Sequence, residues 1–497
     1  MSDIQKQNKT CSHTGCNHEV YENEKCIFHC EKDDWFIENS GGGKEWKKNK
    51  VKLFWEKVRE YIWKTPNLKE YDFSNFIFPE FEEVSEEDTE EFKVEGKKYY
   101  CLKPSINKNF WKGMSMTFTK ILDFNNAIFL GKVNFNYTVF EKESWFAHNL
   151  IFQDYVEFIE STFQEKTTFE SVNFEGDVYF GGSIFEDEVK FYNINVKKQI
   201  WFYETSFLSH TSFVNSKNDR VINKLIFERA EFGEKADIFF DKLDINYLSF
   251  KKNVNYSEYI SFFDINILNE LKFNNTNISN MEFHNCNLKN SKINIQNVSF
   301  ISNNGHTIFN GVNWGNIRET FDKKTNRDTF RQLKYVNEKQ GNIIEANKFY
   351  SAEMDAYRQE MKADKKELKA NIKKLKDNKE KKKKQIRTLK QDMLIFCLNE
   401  KVSNFSQNWL RPLGWFFLLG FIAFVLSNIV KIISYFNNTS KINLTSIWNA
   451  SNQYFEYLNP FNTSAGEWNP IIWLIFKALS VFIIYQFIIS LRRQTRR

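Results

Sequence analysis

Phenylalanine recurs through the middle of the chain on alternating steps of five and six residues: Phe124, Phe129, Phe135, Phe140, Phe146, Phe152, Phe158, Phe163, Phe169, Phe174, Phe180, Phe185 and Phe191. After Val196 the series resumes at Phe202, Phe207 and Phe213, and from Phe273 it becomes a strict five through Ile278, Phe283, Leu288, Ile293 and Val298. A helix brings residues three or four apart onto one face, and a strand brings residues two apart. Neither keeps these positions together. A period sustained over such a length describes a solenoid in which each short segment is one side of a coil.

Two residues before many of these marks stands a small side chain: Ala127, Thr138, Ser161, Ser183, Thr205 and Ala230. Residues two apart in an extended segment point the same way, so each side sends one large and one small side chain inward. The Asn, Asp, Glu, Lys and Ser between them face water. Four sides make a coil of roughly 22 residues, and stacking at about 4.8 Å makes Met116 to Phe300 a rod of about eight coils and roughly 40 Å. The register loosens between Phe213 and Phe262, where an irregular coil or loop is expected. An interior filled with Phe layers leaves no pocket inside the rod.

The pattern resembles the pentapeptide-repeat family. Phe273 to Val298 has its ordinary form, with Cys286 and Ser291 at the small position and Asn277, Asn287 and Asn297 before the centre. The five/six stretch is similar to a Phe-rich variant. The resemblance covers residues 71–310 and implies a β-solenoid of the right-handed quadrilateral β-helix type.

The N-terminus carries CSHTGCNHEVYENEKCIFHC, in which Cys11, Cys16, Cys26 and His29 are spaced C-x4-C-x9-C-x2-H. Thiolates with one imidazole suit tetrahedral Zn2+, and a closed set of four without a carboxylate suits a structural site. Cys30 and His18 are spare candidates. The run KCIFHC is similar to a short zinc-finger-like prefix of some bacterial members of the family, which favours His29 over Cys30. Residues 1–36 are therefore assigned to a small zinc-binding module. Residues 37–70 hold a cap: Val51, Phe54, Trp55, Val58 and Ile62 predict an amphipathic helix from Lys44 to Trp63, docked on the end of the coil. Seven cysteines in 497 residues, four of them clustered, do not form a disulfide framework. Cys101, Cys286 and Cys397 are expected to be buried or inert, and no cleavable leader is expected.

Two runs near the C-terminus are apolar enough to cross a bilayer: Leu413 to Val430 and Ile471 to Leu491. Trp409, Trp415, Tyr435 and Trp473 stand near their ends, as interfacial aromatics do. Residues 409–497 therefore read as a two-span hairpin with an outer loop, 436–470. Basic residues precede the first run (Arg411, Lys401 and 13 lysines from Lys362 to Lys390) and follow the second (Arg492, Arg493, Arg496, Arg497), while the loop carries only Lys441. This asymmetry places both termini in the cytoplasm. Lys477, two turns into the second run, is expected to snorkel to the outer interface; with Asn428 it is also a candidate pore-lining residue. Lys431 reads as interfacial.

Between rod and membrane the period becomes helical. Phe330, Leu333 and Val336 define one helix, Gly341 stops it, Asn342 caps the next, and Ile343, Ala346, Phe349, Tyr350 and Met354 continue it. This hairpin, 321–361, resembles a tetratricopeptide unit. A basic stalk, 362–400, is expected to extend its second helix toward Leu398. The lysines suit a solvated helix or anionic lipid beside the membrane; lacking interleaved aromatics, they do not suit nucleic acid.

The sequence contains no phosphate-binding glycine loop, no HExxH and no Gly-x-Ser-x-Gly. His148, His210, His284 and His306 are scattered. The expectation is a non-enzymatic integral membrane protein of the bacterial inner membrane, a cytosolic scaffold or sensor with an unnamed protein partner, lipid contacts and homo-oligomerisation. The alternative is an oligomeric pore or membrane-disrupting effector. The order span, loop, span resembles two-helix pore-loop channels, with Ile447 to Tyr457 as a pore helix, but no TVGYG-like filter follows. A soluble DNA mimic that binds topoisomerase, as the family also contains, fits the acidic stretch Glu141 to Glu188 weakly and the apolar runs not at all.

Overall fold

The computed structural model describes residues 10–38, 44–64, 70–81, 89–94, 97–102, 117–216, 220–255, 259–302, 305–322, 325–374, 379–406, 408–428, scattered positions from 449 to 459, and 470–495. They form two compact units, 1–325 and 326–497.

The first unit is a four-sided parallel β-solenoid of about eight turns. One turn passes through Ile121–Asp123, Ile128–Phe129, Val133–Asn134 and Val139–Phe140 before Ser144–Phe146 lies directly over its start. One side is a sheet of ten strands from Glu70–Asp72 to Ile308–Asn310. Partner residues differ by 22 where Phe169 lies under Phe191 and Phe191 under Phe213. Every Phe of the ruler is buried, and so are the small residues Ala127, Thr138, Ser161, Ser183, Thr205 and Ala230. Rings stack coil on coil, as in Phe158 on Phe180 at 4.8 Å and Phe169 on Phe191 at 4.9 Å. They meet edge-on across a coil, as in Phe158 and Phe169 at 6.0 Å. Aromatic pairs prefer both geometries. The small position also closes hydrogen bonds between coils: the Ser161 hydroxyl donates to the Phe135 carbonyl at 2.6 Å, and Ser183 and Thr205 repeat this to Phe158 and Phe180.

The alternation of five and six has a backbone cause. In each five-residue step from Phe124 to Phe207, the residue two after the first mark is left-handed: Asn126, Tyr137, Glu160, Ser171, Gly182, Asn193 and Glu204, with φ from 52° to 66°. No residue with positive φ occurs in the steps from Phe129, Phe140, Phe152, Phe163, Phe174, Phe185, Val196 or Phe207 to the next mark. A left-handed residue turns the chain sharply, so its corner closes in one residue fewer. Phe146 to Phe152 breaks the alternation with an extra residue, and there His148 and Asn149 are both left-handed.

The irregular region also has a structure. Phe213 lies under Phe240, 27 positions on, and the lengthened coil includes residues 217–219, outside the described set. Beyond it the ladder resumes through Phe240 and Phe262. The strand Val221–Glu228 straightens one corner, pairing with both Asn195–Val196 and Ile200–Tyr203, so two sides merge into one sheet. At the other end, the region 71–310 is not continuous solenoid. An antiparallel hairpin, Thr89–Val94 with Lys97–Leu102, interrupts the first turn between Ile77–Phe78 and Thr117–Phe118. After the insertion the ladder resumes at Phe118, six residues before Phe124; Phe118 is buried and stacks on Phe140 at 5.5 Å. Cys101 lies in the hairpin, whereas Cys286 is buried at a small position.

Many carboxylates read as an acidic face are paired with lysines one coil away: Glu165 with Lys142 at 2.6 Å, Glu188 with Lys166 at 3.0 Å, and Glu175 with Lys197 at 2.5 Å. Both ends of the coil are covered. Helix α1 (Lys48–Lys64) packs Phe54 and Trp55 against Phe78, and the Trp55 indole donates to the Glu80 carbonyl at 2.9 Å. It starts at Lys48, not Lys44, because Lys44–Trp46 pairs with Phe36–Glu38 as an antiparallel ribbon. The far end is closed by Trp314, Phe321 and the single turn α2 (Ile317–Thr320), which Asn316 caps.

In the second unit, α3 (Arg327–Lys339) is capped by Asn326 and ends before Gly341, whose φ of +76° only glycine adopts freely. Helix α4 (Ile343–Lys374) packs back on it. The stalk is not a single extended helix. A second helix, α5 (Lys379–Ser403), returns along α4, placing Arg358 on Glu400 at 2.6 Å and the Tyr357 ring 5.0 Å from Phe396. These paired contacts favour a hairpin over a lone basic helix. Two apolar helices follow, α6 (Leu410–Ser427) and α7 (Pro470–Thr495). Leu458 fills the space between them, against Gly420, Ala423 and Phe476. Lys431, Lys441, Tyr435 and most of the loop 436–470, including much of the expected pore helix, lie outside the described residues.

Candidate metal centre

Two tight turns build the N-terminal cluster. The Cys16 amide donates to the His13 carbonyl at 3.0 Å, with Gly15 left-handed between them. The amides of His29 and Cys30 both donate to the Cys26 carbonyl, winding one turn that puts His29 beside Cys26. The Cys11 amide bonds the His18 carbonyl at 2.9 Å and closes the first loop. As a result the Sγ atoms of Cys11, Cys16 and Cys26 and a ring nitrogen of His29 lie within 4.8 Å of one another, and this set could hold a metal ion. Cys16 Sγ is 3.7 Å from Cys26 Sγ, and His29 Nδ1 is 3.6 Å from Cys11 Sγ and 3.3 Å from Cys26 Sγ.

The surroundings fix these groups. The Cys26 amide donates to Cys11 Sγ at 3.2 Å. His13 stacks on His29 at 4.1 Å. Burial lowers the His29 pKa to about 4, helped by the His13 charge and opposed by a hydrogen bond with the Ser74 backbone. The imidazole is thus neutral, the form that ligates metals. Burial pushes the Cys26 thiol up to about 12. For Cys11 burial acts upward too, but hydrogen bonds with the His13 and Cys26 backbone outweigh it and lower the pKa.

The spare candidates point elsewhere. Cys30 Sγ faces the Ile27 carbonyl and the Lys32 ammonium, at 3.6 and 3.4 Å. His18 packs edge-on against Phe28 at 4.9 Å. Sequence reasoning missed Lys32, which is only 2% exposed. Its ammonium donates to the carbonyls of Ile27 at 3.0 Å and Cys30 at 2.7 Å and lies 4.8 Å from the Trp35 ring centre. The module also joins the solenoid: Phe28 stacks on Phe76 at 4.5 Å, and its carbonyl accepts from the Ile77 amide at 2.9 Å.

In the second unit, the Lys477 ammonium donates to the Asn459 carbonyl and lies 5.8 Å from the Trp473 ring centre. The Asn428 amide turns back to the Phe424 carbonyl at 3.0 Å. The structure does not bring the two together at a shared site among the described residues. Gln486, unremarked in the sequence, is 7% exposed inside an apolar helix. It accepts from the Ser403 hydroxyl at 2.9 Å and donates to Asn399 Oδ1 at 2.9 Å. A lone amide in a membrane-length apolar run is the signal that marks it.

No curated protein and no solved structure matches the chain. A family model described as pentapeptide repeats, in nine copies, matches residues 149–195. Those residues lie in the most regular part of the solenoid, where small residues and phenylalanines alternate inward. Over this stretch of the solenoid the chain is similar to the pentapeptide-repeat family.

Proposed function

We propose that the chain is a non-enzymatic scaffold or sensor, anchored by α6 and α7 to the inner face of a bacterial plasma membrane with its solenoid on the cytoplasmic side. The observation that carries this is the pair of helices, Leu410–Ser427 and Pro470–Arg492, which are long and apolar enough to cross a bilayer yet only 17% and 22% buried in the protein. Leu410, Phe417, Leu418, Phe421, Leu474 and Val481 are exposed. A core helix of a water-soluble protein hides such residues, whereas lipid accepts them. The solenoid supports a binding role: its interior is occupied by stacked rings, so it presents an outer surface for a protein partner. In this reading the cysteine cluster holds structural Zn2+. Tetrahedral bonds of about 2.3 Å to sulfur and about 2.05 Å to nitrogen require S···S near about 3.8 Å and S···N near about 3.6 Å, close to the distances above. Bound Zn2+ would keep the thiolates ionised and lock the cap onto the first coil.

Alkaline carbonate extraction of membranes tests the anchor. The full chain stays in the pellet, and a chain ending at Ser406 is released. Release of the full chain would refute it.

A second reading, an oligomeric pore, is favoured by the chain between the spans. The Tyr454 hydroxyl donates to the Phe417 carbonyl at 2.9 Å, and Leu458 sits against Gly420, so this stretch folds back against α6 instead of standing clear of it. Ion flux through liposomes carrying the protein decides between the readings.

A further inference from the structure

The exposed side of α5 changes character along its length. Lys384, Gln385, Arg387, Thr388, Lys390, Gln391 and Asp392 are exposed, and then Leu394, Ile395 and Leu398 are 61%, 55% and 44% exposed. With 3.6 residues per turn, Arg387, Lys390, Leu394, Leu398 and Lys401 fall within an arc of about 80°. One face of α5 is thus an apolar strip flanked by cations. Its opposite side is occupied, with Phe396 against Tyr357 and Glu400 paired to Arg358.

The end of α5 is fixed to the two apolar helices. Asn399 and Ser403 bind Gln486 of α7, and the Trp415 indole of α6 donates to the Lys401 carbonyl at 3.0 Å. Between α5 and α6 the chain makes an elbow of three consecutive left-handed residues, Asn404, Phe405 and Ser406, at φ 49°, 55° and 64°. Such backbone persists only where its surroundings hold it. Here the Ser406 amide binds Ser403 Oγ at 2.9 Å, and Ser406 Oγ reaches Gln486 at 3.4 Å. The elbow holds the last turns of α5 at the cytoplasmic end of the spans instead of letting the helix run on into α6.

We propose that the Leu394, Ile395 and Leu398 face of α5 lies in the membrane interface as a third lipid-bound element, its flanking Arg387, Lys390 and Lys401 meeting anionic headgroups. The inference rests on the membrane anchoring of α6 and α7. Continuity with their exposed apolar surface and charge complementarity identify the occupant as an anionic lipid surface. A second copy of the chain would bring the cations of two α5 faces together, so it is the less favoured occupant.

The test uses the full chain in vesicles of mixed zwitterionic and anionic phospholipid, with a photo-reactive phenylalanine analogue at position 394 or 398, and at 421 in α6 as reference. The expected result is a lipid adduct at all three positions. The adduct at 394 and 398 falls severalfold in Lys390→Gln/Lys401→Gln or in purely zwitterionic vesicles, while that at 421 is unchanged. Lipid adducts at 421 with only protein dimers or no adduct at 394 and 398 would overturn the inference and leave the anchor standing. Loss of adducts at all three positions would remove both.

Discussion

At the residue scale, the cysteine–histidine cluster and one half-buried carboxylate make separate demands. Cys11 and Cys26 each contribute a thiolate that a divalent cation would hold ionised; serine in both positions removes half of the donors. Purified Cys11→Ser/Cys26→Ser protein should carry about one equivalent less zinc than the unaltered chain by elemental analysis; equal zinc in the two would disprove the assignment. Glu157 tests the solenoid in a different way. Burial raises its pKa from 4.5 to about 7, opposed by the Asn136 amide at 3.0 Å and the Lys132 charge. As pH rises from about 4.5 to about 7, the unfolded carboxylate ionises before the folded one, so the wild-type solenoid loses stability across that window. Glu157→Gln keeps an acceptor for Asn136 and has no charge to bury. Its melting temperature should match the wild type near pH 4 and exceed it near pH 8; the reverse order would show that the carboxylate is stabilising. The clustering of Cys11, Cys16, Cys26 and His29 was legible because cysteine spacing is a property of the chain. Lys32 was not, because nothing in its neighbours announces that the ammonium will be met by two carbonyls and an indole.

At the element scale, the coil corner is the unit that explains the ruler. Ser171 occupies a left-handed corner at φ 54°, and its amide bonds the Tyr192 carbonyl at 2.8 Å. Glycine there should raise stability by about 0.5–1 kcal/mol, and valine should lower it by about 1–2 kcal/mol, in chemical denaturation of the full chain. Equal effects of the two substitutions would rule out the left-handed corner. The spacing of Phe residues announced that corners exist, but not which residues bend, since Tyr137, Glu160 and Arg229 carry no turn signature of their own. Helix periods were likewise legible in α1 and α3. The fold-back of α5 onto α4 was not, because it depends on Arg358 finding Glu400, 42 residues away.

At the scale of the whole molecule, the first unit is closed at both ends, by α1 and the cysteine module at one and by Trp314 and Phe321 at the other. Stacking of one coil end on another would therefore have to displace these covers. If the pore reading holds, the mass in detergent should be a small multiple of one chain and fall to a single chain when 410–497 are removed; a monomeric full-length protein would eliminate it. The sequence by itself determined the period of the solenoid, its aromatic filling, the four metal-ligand candidates and the two membrane-length helices, because each is written in spacing or in a continuous run of one residue class. Only the tertiary structure decided the hairpin inserted in the first coil, the burial of Lys32 against two carbonyls and Cys30 Sγ, the pairing of surface carboxylates with lysines one coil away, and the latch of Gln486 onto the elbow. Each of these depends on which distant residues meet, and that is set by closure of the coil and packing of helices, to which local sequence carries no signal.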